Sequence, residues 1–265
     1  MKTDTHQAAV QRDTPAQRVP AFGGNWCFFL DIDGTLLEFT GRPDAVSVDA
    51  GLKATLRRLL EATGGAVALI SGRPIADVDR LFAPLRFPVA GQHGLERRDS
   101  GGNIFVHALP AARLHDAVER LERLAAQNPG LVFENKGATL ALHYRLAPQL
   151  ASQVDDIMHR LLEELGDEFE LQPGKMLMEI KPGGKDKGTA IAEFMAENPF
   201  RGRLPVFIGD DLTDEYGFAL VNSRHGHSVK VGPGATAASW RLADAQAVRA
   251  WLAAFLVTQA PERTR

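Results

Sequence analysis

The sequence predicts an α/β protein: a parallel sheet flanked by helices, interrupted by an inserted α+β unit with an antiparallel sheet. Three observations predict it. Short apolar runs alternate with amphipathic helical segments, the pattern of βαβ units. Two of those runs, Trp26-Cys27-Phe28-Phe29-Leu30 and Leu204-Pro205-Val206-Phe207-Ile208, end in acidic clusters. Open parallel sheets keep their ligand sites at such carboxyl ends. Between the two runs the order changes to helix followed by a pair of strands, which belongs to α+β architecture.

Taken in order, residues 1–20 are polar with two prolines and lack the apolar stretch of a signal peptide, so they read as a disordered leader. The five apolar residues from Trp26 form a buried strand. Leu52, Leu56, Leu59 and Leu60 recur at helical spacing, with Gly64 placed to end that helix. Gly65 to Ile70 is the next strand; Pro74 opens a helix marked by Ile75, Val78, Leu81 and Phe82. Val89-Ala90 is a short strand, and from Leu95 the chain reads as a hairpin across Gly101-Gly102.

The insertion follows. Leu114, Val118, Leu121 and Ala125 mark a helix, then come strands over 131–136 and 139–145. Val154, Met158, Leu161 and Leu165 mark a second helix, followed by strands over 169–172 and 176–181. The main unit resumes at Gly183 with a helix from Thr189 to Met195, the strand at 204–208 and another at Val229-Lys230-Val231. These boundaries give a core of 21–107 plus 183–258, an inserted unit of 108–182 and a tail of 259–265. Trp240 and Trp251 read as core packing. Strand alternation puts Glu134 with Lys136 on one face, Thr139, Ala141, His143 and Arg145 on one face, and Glu179 with Lys181 opposite Met178 and Ile180. One face packs on the helices and the other presents hydrogen-bonding groups.

The strand ends carry the chemistry. Asp31-Ile32-Asp33-Gly34-Thr35 places two carboxylates on a tight turn, able to hold a divalent cation and leave an oxygen free to attack. Gly209-Asp210-Asp211-Leu212-Thr213-Asp214-Glu215 brings a second acidic group. Carboxylates gathered this densely repel one another unless a cation neutralises them, and hard oxygen donors suit Mg²⁺ better than zinc. Ser71-Gly72-Arg73-Pro74 offers a hydroxyl, a pliant backbone and a helix start, suited to phosphate. Gly183-Gly184-Lys185-Asp186-Lys187-Gly188 supplies lysine ahead of a helix. Together they predict a phosphate-and-magnesium site. Gly184-Lys185 lacks the rest of a Walker loop, and Gly232-Pro233-Gly234 lacks the partners of a dinucleotide fingerprint. His93, in Gly91-Gln92-His93-Gly94, stands outside any His/Cys cluster and reads as a structural histidine.

These four segments, in order and spacing, resemble the motifs of the haloacid dehalogenase superfamily of phosphohydrolases. Gly91-Gln92-His93-Gly94-Leu95-Glu96, Lys136-Gly137, Leu142-His143-Tyr144-Arg145 and Met178-Glu179-Ile180-Lys181-Pro182 narrow the likeness to trehalose-6-phosphate phosphatases, over about residues 25–256. The resemblance implies a Rossmannoid core with a C2-type cap, and hydrolysis of trehalose 6-phosphate at the end of trehalose synthesis. It implies Asp31 as nucleophile, through an aspartyl-phosphate, and Asp33 as general acid and then base, touching Mg²⁺ only through its backbone carbonyl. Asp210 would ligate Mg²⁺, with Asp211 and Asp214 acting through waters or by orienting loops. Ser71 and Lys187 would hold the phosphoryl oxygens; Lys185 is the rival, and the family pattern favours Lys187 because it precedes Gly188. Arg73 would support the phosphate or an acidic neighbour. The cap would read sugar hydroxyls with Glu134, Lys136, Arg145 and Glu179, with His93 and Gly94 in a loop beside the substrate. Alternatives are a sucrose-phosphate or mannosyl-phosphoglycerate phosphatase, a metal-dependent glycosyltransferase, or a non-catalytic sugar-phosphate sensor.

Composition fits this expectation. The 265 residues are 45% hydrophobic and 24% charged, with a net charge of −3 and both signs interspersed, giving no signal for nucleic acid or a membrane surface. Cys27 is the sole cysteine, so no internal disulfide forms. The expected setting is a cytoplasmic monomer acting on a small sugar phosphate.

Overall fold

β1 (Trp26–Leu30) is buried along its whole length, because it runs through the middle of a sheet covered on both faces. It pairs in parallel with β10 (Leu204–Gly209) on one side and β2 (Val67–Ile70) on the other. The computed structural model describes residues 19–20, 22–38, 47–107, 114–137 and 139–258. Most of the expected leader, 1–18, and the tail, 259–265, lie outside the described residues; Val19 packs against the core.

The large sheet has the order β12-β11-β10-β1-β2-β3-β4-β5. Its remaining strands are β3 (Val89–Gly91), β4 (Glu96–Arg98), β5 (Ile104–Val106), β11 (His227–Val231) and β12 (Trp240–Leu242). The sheet is mixed rather than parallel throughout: β4 and β5, the expected hairpin, pair antiparallel and extend the edge beyond β3. Trp26, Phe28 and Leu30 face one helical layer, α1 (Ala50–Ala62), α2 (Ile75–Phe82) and α7 (Ala245–Thr258), through Leu52, Leu56, Val78, Phe82, Val248 and Leu252. Cys27 and Phe29 face the other, α5 (Lys187–Met195) and α6 (Glu215–Ser223), through Ile191, Phe194, Phe218 and Val221. Burial pushes the Cys27 thiol up to about 12, so it serves as an inert apolar side chain.

A separate sheet, β6-β7-β9-β8, is antiparallel: β6 (Val132–Asn135), β7 (Leu140–His143), β8 (Phe169–Gly174) and β9 (Leu177–Pro182). Its apolar face, with Leu140, Leu142, Met178 and Ile180, packs on α3 (His115–Gln127) and α4 (Ala151–Leu165). Among the described residues, no helix is long and apolar enough to cross a membrane. Three elements carry no clear signal in the sequence: α6, α7 and β12. Trp251 is buried as expected, whereas Trp240 is only partly covered, on the edge strand.

Candidate active site

Parallel pairing of β1 with β10 brings the two acidic turns side by side. The register matches Leu30 with Ile208, and the Asp31 amide donates to the Ile208 carbonyl at 3.0 Å. Gly34 takes a positive φ of 86°, and a β-carbon there would fall 2.2 Å from an Asp210 carboxylate oxygen. Glycine therefore lets the second carboxylate close against the first turn. As a result Asp31, Asp210 and Asp214 each offer an oxygen within 4.8 Å of the others.

Lys187, the first residue of α5, is delivered to the same point. Asp186 caps that helix by accepting from the Thr189 amide at 2.7 Å, with Thr189 returning the bond. The buried Lys187 Nζ donates to Asp31 Oδ1 and Asp214 Oδ1, both at 2.7 Å. Lys185 is turned away and pairs with Glu193. Asp214 Oδ2 accepts the amides of Asp210 and Asp211 at 2.9 and 2.8 Å. Both Asp214 oxygens are thus engaged in holding the cluster's geometry. Asp211 sits outside the triad and caps the short turn Leu212–Asp214.

The electrostatics are those of a site built for a cation. Burial, then Asp214 and Asp210, raise the Asp31 carboxyl well above its ordinary range against the pull of Lys187. Burial likewise raises Asp210, opposed by Lys175 and reinforced by Asp214 and Asp211. Lys187 itself stays charged: burial works against it, and the two carboxylates outweigh that. Asp210 Oδ1 is buried without a hydrogen-bond partner, a costly state that a hard cation would relieve. An all-oxygen donor set fits that ion class.

Asp33 and Ser71 flank the triad. Asp33 points to Arg73, which grips it through Nε and Nη2 at 2.6 and 2.7 Å. Ser71 is buried at the end of β2, its amide bonded to Ala90 and its Oγ accepting the Arg73 amide at 3.1 Å. Burial works against the Arg73 charge, but the bond to Asp33 raises its basicity overall.

The polar face of the small sheet lies against this site. Glu179 is 2% exposed and accepts from Lys136 Nζ at 3.0 Å and Thr139 Oγ1 at 2.6 Å, with His93 Nε2 at 3.3 Å. Burial opposes its ionisation, yet Lys136 and His93 hold it well below the ordinary carboxylate range. Burial likewise opposes the charge on Lys136, and Glu179 and Glu134 raise its basicity. Glu134 Oε2 meets His143 Nε2 at 2.9 Å. Arg145 is half-buried and donates to the Lys175 carbonyl at 3.2 Å. Gly94 is buried where a β-carbon would lie 3.0 Å from the Asp186 carbonyl oxygen, so it packs on the α5 N-terminus.

Two lysines escaped the sequence reading. Lys175, on the turn between β8 and β9, pairs with Asp210 Oδ2 from the cap side. Lys230, buried within β11, donates to the Asp210 carbonyl. The turn signal Pro173-Gly174 marks where the first could be sought; nothing local marks the second.

A family model described as trehalose-phosphatase matches residues 29–246. The chain is 46% identical over 251 residues to a trehalose-6-phosphate phosphatase of Escherichia coli strain K12, covering 95% of this chain and 93% of that protein. It is 42% identical over 232 residues to a probable trehalose-phosphate phosphatase of Sinorhizobium fredii, covering 87% of each. A crystal structure of a trehalose-6-phosphate phosphatase related protein superposes with a TM-score of 0.71 at 27% identity, over 88% of this chain and 97% of that one.

Proposed function

We infer the reaction from one premise: this chain belongs to the trehalose-phosphatase family, within the haloacid dehalogenase superfamily. It is a phosphoric monoester hydrolase. Our reading is that it converts trehalose 6-phosphate to trehalose and phosphate, the last step of trehalose synthesis, with Mg²⁺ and through an aspartyl-phosphate. The core, 21–107 with 183–258, does the chemistry, and the cap, 108–182, reads the sugar. The observation that carries this is the buried Lys187 bridging Asp31 and Asp214 beside the unsatisfied Asp210 oxygen, directly beneath the hydrogen-bonding face of the cap.

Asp31 attacks phosphorus, forming an acyl-phosphate bond as the bond from phosphorus to the sugar oxygen breaks. Asp33 gives its proton to that oxygen, then takes one from the water that hydrolyses the acyl-phosphate; such transfers are worth about 10²–10⁴-fold. Lys187 and Ser71 hold the phosphoryl oxygens, where charge spreads in the transition state. Asp31, Asp210 and the Asp33 carbonyl would hold Mg²⁺, with Asp214 and Asp211 fixing the loop around it. The ion would neutralise the crowded carboxylates and the phosphoryl oxygens. Glu134, Lys136, Arg145 and Glu179 present charged and hydrogen-bonding groups to the sugar hydroxyls, with Gly94 holding the adjoining loop on α5. A single chain carries every one of these groups, so a monomer suffices, and a sugar-phosphate substrate suits a cytoplasmic setting.

The test is a phosphate-release screen over sugar phosphates, with and without Mg²⁺. The expected result is Mg²⁺-dependent release, fastest from trehalose 6-phosphate. Faster release from sucrose 6-phosphate or mannosyl-phosphoglycerate would move the substrate, and release unchanged by chelator would remove the metal.

A further inference from the structure

Two residues at the core–cap junction carry backbone conformations that side chains rarely adopt: Gln92 and His93 have φ of 47° and 58°. Such strain persists only where the surroundings impose it, and it clusters at working parts of proteins. The Gln92 amide donates to the Arg73 carbonyl at 3.1 Å and the His93 amide to the Ser71 carbonyl at 3.0 Å. The strained turn therefore sets the backbone of the loop that carries Ser71 and Arg73. The His93 ring lies so close to Gly72 that a β-carbon there would fall 2.8 Å from Cε1 and Nε2. The same edge of the ring meets the cap, with Nε2 at 3.3 Å from Glu179 Oε2.

The ring is 8% exposed as part of its residue, and Nδ1 has no partner. Because Glu179 is held ionised by Lys136 and Thr139, Nε2 is the nitrogen that carries the proton, and Nδ1 is left as a bare acceptor. A histidine kept for core packing alone would leave neither a strained backbone nor an orphaned nitrogen. The ring edge carrying Nε2 stands between Gly72 and Glu179, and the strained backbone holds it there.

We propose that His93 is a positioning residue that couples cap closure to the phosphate loop: the geometry runs from Glu179 through the His93 ring to Ser71-Gly72-Arg73, and from Arg73 to Asp33. The cap carboxylate that meets the sugar is thereby tied to the group that orients the acid, so a seated sugar completes the reacting geometry. This rests on the proposed reaction for the meaning of the coupling, though not for its existence.

The test uses the full chain with spin labels at R57C on α1 and E122C on α3, both exposed, while Cys27 stays buried. H93N keeps a residue tolerant of positive φ and removes the reach to Glu179; H93Q keeps a donor at comparable reach. H93N should broaden the core–cap distance distribution and H93Q should leave it narrow. Kinetically, H93N should lower kcat for trehalose 6-phosphate by about 10²-fold with KM little changed. Its kcat for a small aryl phosphate, which does not engage the cap, should fall clearly less than that for trehalose 6-phosphate, and H93Q should recover most of the loss. An unchanged distance distribution, equal losses on both substrates, or a rise in KM alone would overturn the proposal. Should the unsubstituted enzyme not turn over trehalose 6-phosphate, the proposed function falls and the distance distribution alone decides for His93.

Discussion

The guanidinium of Arg73 holds both carboxylate oxygens of Asp33, Nε on Oδ2 at 2.6 Å and Nη2 on Oδ1 at 2.7 Å. A paired fork of this kind fixes orientation as well as charge. Asp33, the proposed acid, is thus positioned by an arginine of the loop that carries Ser71, and takes up a proton only once the fork loosens. A phosphoryl dianion entering beside Ser71 is a competing anion for the same guanidinium.

R73M should therefore lower kcat by about 10²-fold by leaving Asp33 unaimed. R73K should recover little, since an ammonium cannot form the fork. Steady-state kinetics on both variants check this; full recovery in R73K would show that charge alone matters.

The crowding of Asp31, Asp210 and Asp214 predicts a metal-linked stability. At about 100 times its dissociation constant a ligand adds about 2.7 kcal/mol, or roughly 5–10 °C in Tm for a chain of this size. Thermal unfolding with and without Mg²⁺ should show that rise in the unsubstituted protein and its loss in D210N. An equal rise in both would place the ion elsewhere.

The cap prediction separates recognition from chemistry. E134A and R145A should reduce kcat/KM for trehalose 6-phosphate while leaving a small aryl phosphate nearly unaffected, because their side chains stand on the cap and not at the carboxylate cluster. Parallel losses on the two substrates would show that neither residue reads the sugar.

Glu179 gives a pH-dependent prediction. Its folded-state pKa is depressed below the ordinary 4.5, so its contribution is fully present above that value and is lost as pH falls through the folded value. E179Q should cost about 3–5 kcal/mol at neutral pH, because Lys136 is left buried without its counter-charge. The stability gap between the two proteins should hold from pH 7 to about 4.5 and narrow as pH falls further toward 3. A constant gap over that range would contradict the ionised pairing.

Much of this architecture is written in local patterns. β1 and α2 fall where the apolar runs place them, because a buried strand reads as continuous and a surface helix as a stripe. Within β6, β7 and β9 the faces follow from alternation, which groups Glu134 with Lys136, Thr139 with His143, and Glu179 with Lys181; only the strand register brings Glu134 to His143, and Lys136 and Thr139 to Glu179. Where the reading stopped, the cause was tertiary. α7 is apolar on nearly every face, so no stripe announces it, and α6 is short and interrupted by Gly217. The antiparallel edge formed by β4 and β5 depends on which strand the hairpin joins. Lys175 and Lys230 reach Asp210 from different sheets, a proximity no spacing encodes. The sequence offers Arg73 a phosphate or an acidic neighbour as partner, and Asp33 emerges as that partner only in three dimensions.

The central claim is that Asp31 carries the phosphoryl group. Quenching the enzyme during turnover of trehalose 6-phosphate, reducing with borohydride and mapping peptides by mass spectrometry tests it directly. The account predicts homoserine at position 31, and none in D31N, which should fold normally and release no phosphate. Unmodified Asp31 during full turnover, or near-normal turnover by D31N, would contradict it.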